Sequence, residues 1–152
     1  MQDFVIVTGI IIKSEPIGEY DRRVVILTKE RGKISAFARS SRKPGNRLMA
    51  PTNPFSFGVF KLYEGKNSYN VAEADIQNYF EELRTDYIGA YYGMYFLEIC
   101  DYYSRENNDE VDMLKLIYQS LRALTSHAFI SLVPFLHSDC GNGMINYKEV
   151  MV

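Results

Sequence analysis

Five short segments with strand patterning fall within the first 78 residues, and one long polar excursion separates the third from the fourth. Few architectures accept that spacing. Residues 4–13 are β-branched and nearly continuous (Val5, Ile6, Val7, Thr8, Ile10, Ile11, Ile12), with Gly9 expected as a bend or bulge and Pro16 and Gly18 closing the run. Tyr20-Asp21-Arg22-Arg23 leads into residues 24–28, and Lys29-Glu30-Arg31-Gly32 is a hairpin-length link to residues 33–39. Residues 55–63 and 68–76, joined by Glu64-Gly65-Lys66-Asn67, supply the last two strands.

Five strands with one interruption predict a small Greek-key barrel of the OB type, a layout that places oligonucleotides across its second and third strands. In residues 33–39, Ile34, Ala36 and Ala38 share one side, while Ser35, Phe37 and Arg39 share the other. The strand then opens into a loop where Arg42, Lys43 and Arg47 follow Arg39 with no acid among them, broken by Pro44 and Gly45. Such a loop is expected to be flexible and suited to a polyanion. Cations pair with phosphates, and an aromatic on the cationic face stacks bases. Parity alone leaves open whether Phe37 faces solvent or core, and a merely solvated basic surface is the plain alternative. The candidate nucleic-acid contacts are Lys13, Arg22, Lys33, Phe37, Arg39, Arg42, Lys43 and Arg47.

Charge is divided in the same way. The net value is −2, yet residues 1–78 hold twelve Lys and Arg against eight acids, a balance of +4, which leaves −6 for the remainder. One half suits a nucleic acid and the other does not. No phosphate-cradling, zinc-protease or nucleophile-elbow motif is present, and His127 and His137 lie in a weakly patterned tail. The chain is therefore read as non-enzymatic, with no catalytic residue, metal or cofactor. Cys100 and Cys140 are far apart without a CxxC, which fits a reducing cytoplasm. Met1-Gln2-Asp3 lacks a basic leader, and the longest apolar run, residues 87–100, is too short for a membrane span and contains Glu98.

From Glu81 onward the pattern turns helical. Leu83, Tyr87, Tyr91, Tyr95 and Ile99 recur every four residues, with Ile88, Tyr92 and Phe96 beside them. A polar break at residues 104–109 precedes a second helix over residues 111–124, with Leu114, Ile117, Tyr118, Leu121 and Leu124 on its apolar side. The tyrosine stripe is read as core. It is broader than one further helix can bury, so self-association or docking of the tail is expected to cover the rest. In that tail, residues 127–136 are apolar but interrupted by Pro134, residues 139–143 are turn-like, and residues 145–152 have weak strand character. The fold class is α+β: a five-stranded OB-fold barrel binding nucleic acid over residues 1–78, then a partial all-helical domain over residues 79–152.

Three stretches carry a family resemblance: VTGIIIKSEPIGEYDRRVVILTKERGKISAFARSSRKP, NPFSFGVFKLYEG and LRTDYIGAYYGMYFLEICDYYSREN. Their order, over about residues 7–124, resembles the RecO family of bacterial recombination mediators. The resemblance implies an N-terminal OB fold followed by a helical domain. It also implies binding to single- and double-stranded DNA, annealing of complementary strands, and recombinase loading with RecR and the single-stranded DNA-binding protein. Family members run on with further helices and, in many, a four-cysteine zinc knot; no CxxC is present here, so zinc is not expected. A shortened product would account for the unpartnered helical surface and would put contacts made by the helical domain in question. Two alternatives stay open: an adaptor whose OB face receives a protein, or a fragment that has lost the family function. Salt-dependent oligonucleotide binding separates the DNA-binding reading from both.

Overall fold

In a computed structural model, whose described residues are 3–126, the five segments form β1 (Phe4–Ile17), β2 (Asp21–Thr28), β3 (Gly32–Ala38), β4 (Phe57–Glu64) and β5 (Tyr69–Asn78). They hydrogen-bond in the order β1-β2-β3-β5-β4, and β1 also pairs with β4, closing the barrel. Neighbours are antiparallel except β3 and β5, which meet in parallel at Ala36↔Tyr69 and Phe37↔Asn70. This is the OB-type arrangement expected from the strand spacing.

Period-two alternation fills the barrel. Val7 and Ile11 of β1, Val24 and Ile26 of β2, Ile34, Ala36 and Ala38 of β3, and Phe60 and Leu62 of β4 form one interior cluster. Each larger side chain so buried contributes about 1.5–3 kcal/mol. Gly9 and Gly58 lie opposite each other across β1 and β4, where a Cβ on either would overlap a neighbouring strand's carbonyl. Gly9 therefore permits close approach. The β1–β2 register shift falls between Ile11 and Lys13, so the bulge expected at Gly9 is displaced along the strand. Pro16 does not end β1 either. It pairs in register with Arg22, beyond the Phe4–Ile10 stretch that meets β4, so its missing N–H falls on an edge.

The single helix expected from Glu81 is two, α1 (Glu82–Thr85) and α2 (Tyr87–Tyr103), followed by α3 (Val111–Thr125). Asp86 separates the first two. Its backbone is extended (ψ 108°), and its carboxylate accepts a 3.2 Å hydrogen bond from the Ile88 N–H, capping α2. The helices pack on the outside of the barrel. Ile10, Ile12 and Leu27 of the strands join Phe55, Phe80, Leu97, Ile117 and Leu121 in a second cluster. β1 is thus buried on both faces over residues 10–12, which accounts for the unbroken apolar run there, whereas Phe4 and Ile6 at its other end are exposed.

The core reading of the tyrosine stripe is corrected here. The packed face of α2 is Gly89, Gly93, Leu97 and Cys100, whereas Tyr87, Tyr91 and Tyr95 are 94%, 72% and 51% exposed. A Cβ on Gly93 would sit 3.0 Å from the Phe55 ring, so glycine is taken at this close approach and Tyr87, Tyr91 and Tyr95 turn outward. Burial pushes the Cys100 thiol up to about 12, with Glu110 and Asp101 adding to it. Residues 104–110 then fold back on β3. The Lys33 N–H donates to the Arg105 carbonyl at 3.1 Å, the Asn107 N–H donates to the Arg31 carbonyl at 3.2 Å, and Gly32 pairs with Glu106. His127, His137, Cys140 and the tail segments expected beyond α3 lie outside the described residues.

Candidate nucleic-acid interface

Register decides what parity left open. Because Ile34, Ala36 and Ala38 fill the barrel, Ser35 and Phe37 lie on its outer surface, and Phe37 is half-buried there. Phe37 stands opposite Arg23 of β2 on one side and Asn70 of β5 on the other. Arg23 is exposed, as is Arg39 just past the end of β3. Neither side chain enters a hydrogen bond or ion pair among the described residues. The residue opposite Arg23 on β1 is Glu15, and it is engaged by Lys13 at 3.1 Å. Arg23 consequently keeps its charge uncompensated beside the ring. Lys43, in the following loop, lies over the half-exposed Tyr20 ring at 5.2 Å, a cation–π contact that leaves its ammonium on the surface.

The loop after β3 is not the flexible excursion the sequence led us to expect. Leu48 inserts into the barrel's interior cluster, and Ser41 and Thr52 are fully buried. Arg22 holds it from beneath, donating to the Met49 carbonyl at 2.7 Å and to the Thr52 hydroxyl at 2.9 Å. Burial, and then the charge of Arg42, lowers the pKa of Arg22. Arg42 donates to the Gly18 carbonyl at 2.6 Å and the Asp21 carbonyl at 3.1 Å, tying the loop to the β1–β2 turn. The Ser40 N–H, at a residue with φ 58°, donates to the Asp21 carboxylate at 2.7 Å. Arg47 is exposed but spans the seam between loop and β5 through the Ala72 carbonyl at 3.1 Å.

Of the eight residues proposed from sequence, then, Phe37, Arg39 and Lys43 gather on one exposed surface with Arg47 at its margin. Arg22 and Arg42 are occupied in shaping the loop. Lys33 points the other way, toward the helices, where its ammonium meets the Asp101 carboxylate at 3.1 Å and the Asp101 carbonyl at 2.7 Å. That carbonyl belongs to the last turn of α2, where a cation is favoured. Lys13 sits on β1, paired with Glu15. Two surface residues were missed from sequence, Arg23 and Tyr20. Arg23 was legible: it alternates with Val24, so extending the strand to Asp21 puts it outside and Arg22 inside.

A closed five-stranded barrel, with an aromatic-and-cation strip on the outer surface of its second and third strands and helices on its flank, defines an OB-fold protein. Comparison with known proteins narrows the class. The family model described as "Recombination protein O N terminal" matches residues 1–80. The DNA repair protein RecO of Acetivibrio thermocellus is 34% identical over 118 residues, which is 78% of this chain and 47% of that protein. The RecO of Heliobacterium modesticaldum is 34% identical over 83% of this chain and 44% of its own length, and that of an Exiguobacterium species 29% over 79% and 48%. The chain belongs to the RecO family. It spans about half the length of the curated relatives it matches. No helix among the described residues is long and apolar enough to cross a membrane.

Proposed function

We propose that this chain is a DNA-binding recombination mediator acting in DNA repair, and that it binds through the outer surface of β2 and β3 with the adjoining loop. The observation that carries the reading is Phe37 in cross-strand register with Arg23, with Arg39 two residues on. A ring flanked by uncompensated guanidinium groups suits a single strand, whose bases stack while its phosphates pair with cations. Double strands engage the same cations without stacking. Binding by phosphate and base face leaves the Watson–Crick edges unread, which is what annealing of complementary strands requires. The role assigned is binding rather than catalysis, in the cytoplasm where bacterial DNA lies. Cooperation with RecR and the single-stranded DNA-binding protein rests on family membership.

The test is oligonucleotide binding by fluorescence anisotropy across a salt series. Each phosphate contact on a single strand adds about 0.7 to the slope of log affinity against log salt, so the Arg23→Ala/Arg39→Ala/Lys43→Ala variant should lose about 2 units of slope. Phe37→Ala should weaken single-strand binding by about 1–3 kcal/mol and leave the slope in place. A triple variant whose slope matches the parent would move the interface elsewhere.

A further inference from the structure

Tyr20 lies in the turn between β1 and β2 and is 40% exposed. Among the described residues its hydroxyl enters no hydrogen bond and no other ring packs on it. The backbone around it is nevertheless fixed. The Arg42 N–H donates to the Tyr20 carbonyl at 2.8 Å, and the Arg42 guanidinium spans the carbonyls of Gly18 and Asp21 on either side. Lys43 supplies a cation over the ring. Of the three acids in and beside the turn, Glu15 is held by Lys13 and the Asp21 carboxylate accepts from the Ser40 N–H, which leaves Glu19 against Arg23, Arg39 and Lys43. An exposed ring on a fixed backbone in cationic surroundings suits a base that stacks while its phosphates pair.

Given the DNA-binding role assigned to Phe37 and its cations, on which this rests, we propose that Tyr20 is a second base-stacking platform, reached by a single strand that leaves Phe37 and crosses Arg39. Register sets the spacing. Phe37 is one residue from Ala38, Ala38 faces Arg22, and Tyr20 stands two residues before Arg22. At about 3.3 Å per residue, the two platforms are on the order of 10 Å apart along the strands. Bases in a regular stack are about 3.4 Å apart. Bases on Phe37 and Tyr20 are therefore not stacked neighbours, and the strand between them is drawn out, with its phosphates toward Arg39 and Lys43. A duplex has no unpaired base to give either ring. Tyr20 thus favours single strands over double.

The chain has no tryptophan, so one introduced indole reports on each position. In Tyr20→Trp and, separately, in Phe37→Trp, titration with a dT oligonucleotide should quench the emission as a base stacks on the indole. Tyr20→Ala should bind that oligonucleotide about 5- to 150-fold more weakly than the parent, with duplex affinity and salt slope unchanged. Tyr20→Phe should bind as the parent does, since the ring and not the hydroxyl stacks. Quenching in Phe37→Trp without quenching in Tyr20→Trp overturns the second platform and leaves the first standing. Silence in both overturns the DNA-binding role of Phe37 as well. A Tyr20→Ala variant that binds as tightly as the parent, or that weakens single and double strands alike, also overturns the proposal.

Discussion

Arg22 and Arg23 are adjacent, identical in chemistry and opposite in consequence. Parity turns Arg22 toward the barrel end, where it satisfies two acceptors in the buried loop, and turns Arg23 outward beside Phe37. Hydrogen bonds to a charged group contribute about 1.5–3 kcal/mol, and a buried acceptor left without a donor adds its own cost. Arg22→Ala should therefore lower unfolding free energy by about 2 kcal/mol in urea titration, while Arg23→Ala should stay within about 0.5 kcal/mol. Equal effects would mean that both arginines are surface residues. The same division separates Arg42, bound to the carbonyls of Gly18 and Asp21, from its neighbour Lys43. Composition marked the stretch as cationic; individual hydrogen bonds determine which cations remain available.

The strands were legible to within a few residues because alternation over a half-buried sheet has one reading once the apolar set is known. α2 was legible as a helix but not in its orientation. With apolar residues around most of its circumference, periodicity has no single maximum to point inward. The distinguishing signal was the glycine pair Gly89 and Gly93, placed where the helix comes closest to Leu83 and Phe55. The start of α2 went unseen because Glu81 is itself a good helix former, and only the extended backbone at Asp86 shows the break. Removing that cap has a measurable cost: Asp86→Ala should destabilise the fold by about 1 kcal/mol, read as a fall of a few degrees in melting temperature. No change in melting temperature would mean that α1 and α2 behave as one continuous helix.

Across the whole molecule, the barrel and the helices are held together by more than their shared apolar cluster. Gly32 has φ 68°, and a Cβ there would lie 2.7 Å from the carbonyl oxygens of both Arg105 and Asn108. Next to it, Lys33 joins β3 to the end of α2 through Asp101. A non-glycine residue in this backbone region costs about 1–2 kcal/mol before any overlap is counted. Gly32→Ala should thus destabilise the fold by about 2 kcal/mol or more and release amide exchange at Lys33 and Asn107 ahead of the strand cores. Protection at those two amides equal to the parent's would show that the apolar cluster alone positions the helices.

By itself the sequence determined the five strands, the barrel they close, the helical half after Asn78 and the cationic character of the third strand and its loop. These are local properties: alternation, β-branching, turn chemistry and charge are written residue by residue. Tertiary structure decided that the loop is plugged by Leu48, that Lys33 faces the helices, and that Tyr87, Tyr91 and Tyr95 of α2 point outward. Each depends on which surfaces meet across the chain. A cation is available to DNA, and an aromatic to a partner, only if no distant segment has already taken it.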